Sequence, residues 1–248
     1  MFAQPSDARE AVFSPLDRAG RVDAVVDRLT RAIDLGLIGD GEQLPPETEL
    51  SAQLGVSTVT LREGLAVLRQ QGLVETRRGR TGGSFVRARP RSIAARVRGR
   101  LAAMSTHELQ DIGDLHVAIA GATARLAAER AGADQIDRID RRVKELASAE
   151  GIGARHRADA RFHIEVAAAA QSVRLTKVET ELQAEIGDLL WLPLLEESVY
   201  HQTAVNQHRL IAASIRRRNA RTAEDRAEEH ARGEIERLID LHLHLTEG

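Results

Sequence analysis

The sequence predicts a mainly α-helical protein in two parts: an N-terminal winged helix-turn-helix with a small β-hairpin, and a C-terminal antiparallel α-helical bundle. Three observations predict it. From about residue 101 onward, apolar residues keep helical spacing almost without interruption, and no convincing strand appears. Aromatics are only 2% of a chain that is 42% hydrophobic, so the core must be built from Leu, Ile, Val and Ala, which favours helices. Charge is uneven: residues 51–100 hold 11 Arg against 2 Glu, whereas residues 1–50 hold 5 Arg against 10 acidic residues. A basic block inside a slightly acidic chain suggests a localised footprint for a polyanion.

Residues 1–15 lack periodicity and are expected to be disordered. Val22, Val25, Val26, Leu29 and Ile33 then keep helical spacing until Gly36, a natural stop. A Gly-rich loop follows. Pro46, with Glu47 and Glu49 behind it, opens a second, short helix ending near Leu54 and Gly55. Ser57 is a plausible N-cap for a third, with Val59, Leu61, Leu65 and Leu68 as its apolar positions and Gly72-Leu73 as a Schellman stop. A short helix, a tight turn and a longer helix make helix-turn-helix grammar, in which the N-terminal residues of the second helix meet base edges in the major groove. LVETRR and SFVRA read as two short strands joined by GRTGG, a basic hairpin tip. The winged domain is placed at 16–88, an Arg-rich linker at 89–104, and the helical domain at 105–248. Candidate DNA contacts are Ser57, Thr58, Thr60 and Arg62 on the helix and Arg78, Gly79 and Arg80 on the wing.

Six helices are expected in the second domain: 109–131, 135–149, 154–170, 175–195, 205–218 and 222–245, with Pro193 kinking or ending the fourth. In DARFHIEVAAAA, Asp159 and His163 are i and i+4 on the apolar face, the spacing of two ligands to one metal ion. His208 and His230, each on the apolar side of a later helix, offer further donors; His156 and His201 are the alternatives. Imidazole and carboxylate donors suit a divalent Zn, Ni, Mn or Fe ion. No cysteine is present, which excludes disulfides and thiolate metal sites and fits a cytoplasmic protein. Nothing reads as a signal peptide or as 18 uninterrupted apolar residues, so no membrane partner is expected.

The segment LPPETELSAQLGVSTVTLREGLAVLRQQGLVETRRGRTGGSFV resembles the GntR family of bacterial transcription regulators nearly throughout. The later segments DARFHIEVAAAA and NQHRLIAASIRRRNARTAEDRAEEH resemble the ligand-binding helical domain of its FadR/FCD subgroup. The resemblance implies that Arg62 contacts an operator and that Gly79 approaches the minor groove. It implies further that Asp159, His163, His208 and His230 bind a metal whose coordination a small carboxylate effector completes, and that the protein acts as a homodimer on palindromic double-stranded operator DNA. Departures are visible. Thr48 and Thr58 stand where Arg is frequent, Gly64 stands where Ala is usual, and His116 with Ala120 replaces an Arg and a Glu four residues on, of which the Arg can pair with an effector carboxylate. His116 and Trp191 are the candidate effector contacts. A regulator of transcription, not an enzyme, is therefore expected. Two other readings remain: the same regulator with a purely structural metal, and a metal-dependent helical-bundle enzyme with Glu165 or Glu229 as base.

Overall fold

The structure, a computed structural model of the chain, describes residues 20–77, 82–87, 93–192 and 197–247. Contacts divide it into two units, with the boundary between Arg91 and Ser92. No helix among the described residues is long and apolar enough to cross a membrane.

The first unit contains α1 (Arg21–Asp34), α2 (Glu47–Leu54), α3 (Thr58–Gln70), β1 (Val74–Arg77) and β2 (Gly83–Val86). Its turns follow from glycine placement. Gly36, Gly55 and Gly72 all adopt positive φ, the conformation that ends helices and that side chains with a Cβ resist. After α3, Gly72 N–H bonds to Arg69 O and Leu73 N–H to Leu68 O, which is the Schellman pattern, and Leu68 and Leu73 are both buried. Ser57 caps α3 through its hydroxyl, which accepts from Thr60 N–H at 3.1 Å. β1 and β2 pair antiparallel with Val74 opposite Val86, and Gln43 adds a bridge to Phe85. Leu29, Leu50, Leu54, Leu61, Leu65 and Leu68 fill the interior.

Two positions in this unit differ from expectation. Val59 is 61% exposed, because it falls on the outward face of α3 while Leu61, Leu65 and Leu68 face inward. Gly64 is buried against α1, where an added Cβ would lie 2.7 Å from Val25 Cγ1. Close approach of two helices, not loop geometry, requires the missing side chain.

The second unit holds α4 (Ile93–Ala103), α5 (Thr106–Arg130), α6 (Ala133–Ser148), α7 (Ile152–Ala169), α8 (Val173–Leu190), α9 (Glu197–Arg216) and α10 (Ala220–Glu247). Within the span 89–104, read from the sequence as an Arg-rich linker, residues 93–103 are helical. Val97 and Leu101, one turn apart, are buried among Leu109, Leu146, Leu182 and Ile186, and His242 Nδ1 donates to Leu101 O at 3.0 Å. The Arg content hid this apolar stripe. Ser105 and Glu108 form a reciprocal capping box at the start of α5, satisfying two otherwise orphaned N–H groups. α8 ends at Leu190 with Trp191 as its cap; Pro193 lies outside the described residues.

The bundle interior is mostly alanine and branched aliphatics, including Ala124, Ala127, Ala128, Ile139, Ala169, Ile211, Ile215, Ala223 and Ala231. Small residues let the axes approach closely. At Gly113 an added Cβ would meet Ile235 at 2.6 Å, and at Gly121 it would meet Glu228 at 2.7 Å. Both contacts press α5 against α10, the helix that carries His230.

Candidate functional site

Asp159 and His163 project from α7, His208 from α9 and His230 from α10, and all four are buried. They converge. His208 Nε2 lies 3.1 Å from His230 Nε2, His230 Nε2 is 3.4 Å from His163 Nε2, and Asp159 Oδ1 is 3.4 Å from His208 Nε2. The donor atoms of His163, His208 and His230 all fall within 4.8 Å of one another, as do those of Asp159, His163 and Glu234. His163 belongs to both sets.

The electrostatics suit ligation. Burial pushes the imidazoles down, His163 to about 3 and His208 and His230 below the usual value, so each keeps a lone pair at neutral pH. His230 Nδ1 faces Gln207 Oε1 at 2.8 Å; the ring proton sits there and leaves Nε2 free to donate electrons, an outer-shell arrangement typical of metal-binding imidazoles. Phe162 stacks on His208 at 3.8 Å between centroids and fixes that ring. Both Asp159 oxygens are buried without a hydrogen-bond partner. Burial, then the nearby Glu234 charge, raise the Asp159 pKa, while the Trp191 indole and the Arg237 guanidinium oppose the rise. A divalent ion would satisfy Asp159 and neutralise the cluster, so the residues present fit one.

Glu234, on α10 with His230, is not among the donors that the sequence pattern singles out. It sits one turn beyond that residue, with Oε2 3.5 Å from His230 Nε2 and 3.0 Å from His116 Nε2. Tyr200 donates to its other oxygen at 3.0 Å. Burial favours neutral Glu234, but His230 and His116 outweigh it and hold the carboxyl well below the usual range. The i, i+4 spacing from His230 was the available signal.

His116 is fully buried. Burial opposes its charge, yet the Glu234 hydrogen bond prevails and raises its pKa. Trp191 is buried beside Tyr200, 4.9 Å between ring centroids. The alternative histidines lie apart from both donor sets: His201 Nε2 bonds to Leu146 O at 2.7 Å, and His156 packs against Gly187. Of the two carboxylates considered as a catalytic base, Glu165 is taken by Arg138 at 2.7 Å and Arg142 at 3.5 Å, and Glu229 is exposed.

In the first unit, Ser57 and Arg62 are exposed and Thr58 and Thr60 half-buried, together at the N-terminal end of α3. Arg62 Nε pairs with Glu47 Oε2 of α2 at 2.6 Å, and its side chain remains 66% exposed. Arg78, Gly79 and Arg80 lie outside the described residues.

Two helices in a tight turn, a wing behind them, and a helical domain with a buried donor cluster define a winged-helix DNA-binding protein with an appended ligand-binding-type domain. Comparison with known proteins agrees. Residues 21–86 match the bacterial regulatory proteins of the gntR family, and residues 111–233 match the FCD domain. The HTH-type transcriptional regulator RmpR of Mycobacterium gastri is 42% identical over 243 residues, covering 98% of this chain and 89% of that protein. The HTH-type transcriptional repressor NanR of Escherichia coli is 28% identical over 243 residues, covering 92% and 88%. The solved structure of E. coli McbR/YncC shares the fold with a TM-score of 0.51 at 14% identity, covering 90% of this chain and 99% of that one. The chain belongs to the GntR family, with an FCD domain, and is a DNA-binding transcriptional regulator, not an enzyme.

Proposed function

We propose that this regulator senses a small carboxylate at a divalent metal ion held by Asp159, His163, His208 and His230, and that the ligand changes operator affinity. The single observation that supports it most is the convergence of three buried imidazole nitrogens on one locus. When bound, the ion supplies a Lewis-acidic anchor for an anionic ligand. Gln207 orients His230 from behind through Nδ1, while Glu234 lies on the Nε2 side of that ring and engages His116. DNA is gripped by Ser57, Thr58, Thr60 and Arg62 at the start of α3 and by Arg78, Gly79 and Arg80 of the wing, with a homodimer placing two such helices on a palindromic operator in the cytoplasm. Ligand and DNA are then coupled by about 1–3 kcal/mol, a several-fold to hundredfold change in affinity.

The test is a duplex-binding titration of the full chain with and without chelator, across a panel of small carboxylates. Operator affinity that responds to a carboxylate only while metal is bound is the expected result. Affinity indifferent to every carboxylate, in a protein that holds metal, favours the purely structural ion instead.

A further inference from the structure

We propose, building on the reading of Asp159, His163, His208 and His230 as metal ligands, that Glu234 is a fifth ligand to the same ion and gives it an octahedral environment with one position open. Glu234 lies on α10 one turn beyond His230 and is 2% exposed. Its Oε2 stands 3.5 Å from His230 Nε2. Donor atoms of Glu234, Asp159 and His163 all lie within 4.8 Å of one another. His163 belongs to this triad and to the triad of histidines, so the two sets converge on one locus and do not form separate sites.

Spacing and lone pairs both support ligation. Donors about 2.1 Å from a common ion lie about 3.0 Å apart as neighbours in an octahedron and about 4.2 Å apart when opposite. The separations of 3.1 Å between His208 and His230, 3.4 Å between His230 and His163, 3.4 Å between Asp159 and His208, and 3.5 Å between Glu234 and His230 all fall within that span. His230 carries its ring proton on Nδ1, toward Gln207 Oε1, so no proton lies between Nε2 and the Glu234 carboxylate. Two lone-pair atoms facing each other in a buried site repel, and a cation bound by both relieves the repulsion. Asp159 adds a second carboxylate, whose ionisation the Glu234 charge opposes; an ion between the two removes that conflict.

Glu234 is also held as ligating carboxylates are. Tyr200 donates to Oε1 at 3.0 Å and His116 Nε2 donates to Oε2 at 3.0 Å, which fixes the plane of the carboxyl group and leaves Oε2 a second lone pair for the ion. Glu179, another buried carboxylate, has no such place. Its Oε1 accepts from Gln183 Nε2 at 2.9 Å, and among the described residues it belongs to neither donor triad. Three imidazole nitrogens and two carboxylate oxygens fill five octahedral positions, an environment that suits Mn, Fe, Co or Ni. A tetrahedral ion such as Zn would be complete with Asp159 and the three histidines alone. The two kinds of ion therefore depend on Glu234 to different degrees.

The experiment measures the Mn(II) and Zn(II) affinities of the full chain by competition with a chelating dye, for wild type, Glu234→Gln and Tyr200→Phe. Folding is checked by circular dichroism. Wild type binds one equivalent of either ion. Glu234→Gln weakens Mn(II) binding by about a hundredfold or more and Zn(II) binding by about tenfold or less, because four donors remain for the tetrahedral ion. Tyr200→Phe, which removes only a hydrogen bond to the carboxylate, weakens both ions by the same factor. Should Glu234→Gln fail to fold, Glu234→Asp, with its carboxylate one methylene short, gives the same selective loss to a smaller degree. Losses equal for the two ions, losses larger for Zn(II), or no loss of Mn(II) affinity in the Glu234 variants leave Glu234 a hydrogen-bonding role alone and overturn the proposal. A wild-type chain that binds neither ion instead overturns the underlying reading of the four-residue centre.

Discussion

His208 Nε2 and His230 Nε2 lie 3.1 Å apart although 22 residues separate them in the chain. With His230 Nε2 unprotonated, this separation suits either a proton carried on His208 Nε2 or a metal ion that takes both lone pairs, and the two are told apart by substitution. Replacing both, His208→Ala with His230→Ala, is expected to abolish stoichiometric metal by elemental analysis and the Tm loss that chelator causes in the wild type. Metal retained by the double variant would remove this ligand set.

Acid should destabilise the metal-free protein. Burial, with the Arg157 charge, pushes His156 down to about 4 from a usual 6.5. Below pH 6.5 the unfolded imidazole binds a proton that the folded one refuses, so stability present above 6.5 is lost as pH falls toward 4. His163, pushed to about 3, acts in the same sense. Denaturant titrations across this window should show stability rising with pH, and His156→Gln should reduce the slope by about 1.4 kcal/mol per pH unit, one proton's share. An unchanged slope counts against the assigned shift.

Gly64→Ala gains up to about 1 kcal/mol of helix propensity but forces a methyl to within 2.7 Å of Val25 Cγ1. Overpacking of this kind costs about 1–3 kcal/mol, so the variant should have a lower denaturant midpoint. Adding Val25→Ala should recover part of the loss. A Gly64→Ala protein more stable than wild type would show that α1 yields freely.

Arg62 is held by Glu47 yet stays two-thirds exposed at the start of α3. Arg62→Ala should weaken operator binding by about 1–3 kcal/mol; if its partner is a phosphate, the salt dependence should also fall by about one counterion. Undiminished binding in a filter or fluorescence assay would remove α3 as the groove-reading helix.

Val59 leaves an apolar branch in solvent on the same turn. The one base feature in the major groove that rewards such a surface is the thymine methyl. In vitro selection from random duplexes should give Val59→Ser an altered preference at one base pair, and replacing that thymine by deoxyuridine should weaken wild type but not the variant. Identical selected sequences for both proteins would exclude this contact.

What could be read in advance and what could not have distinct physical origins. The glycines at 36, 55 and 72 announce their turns because positive φ belongs to few residue types, so the helix-turn-helix was legible residue by residue. The four ligand candidates were legible because an acid and imidazoles stand out on apolar faces. Glu234 did not, since α10 is so rich in charge that one more carboxylate carries no contrast. Helix α4 escaped for a similar reason: its arginines masked Val97 and Leu101. Gly64 makes sense only once α1 is beside it, and that proximity is a tertiary fact with no local trace.

Trp191 is the chain's single tryptophan, buried against Tyr200 and within electrostatic reach of Asp159. Intrinsic emission from this molecule therefore originates almost wholly at one spot, next to the Asp159 carboxyl of the donor cluster. Nature has in effect installed a fluorophore inside the bundle, so arrivals and departures there can be timed by stopped flow without attaching a dye.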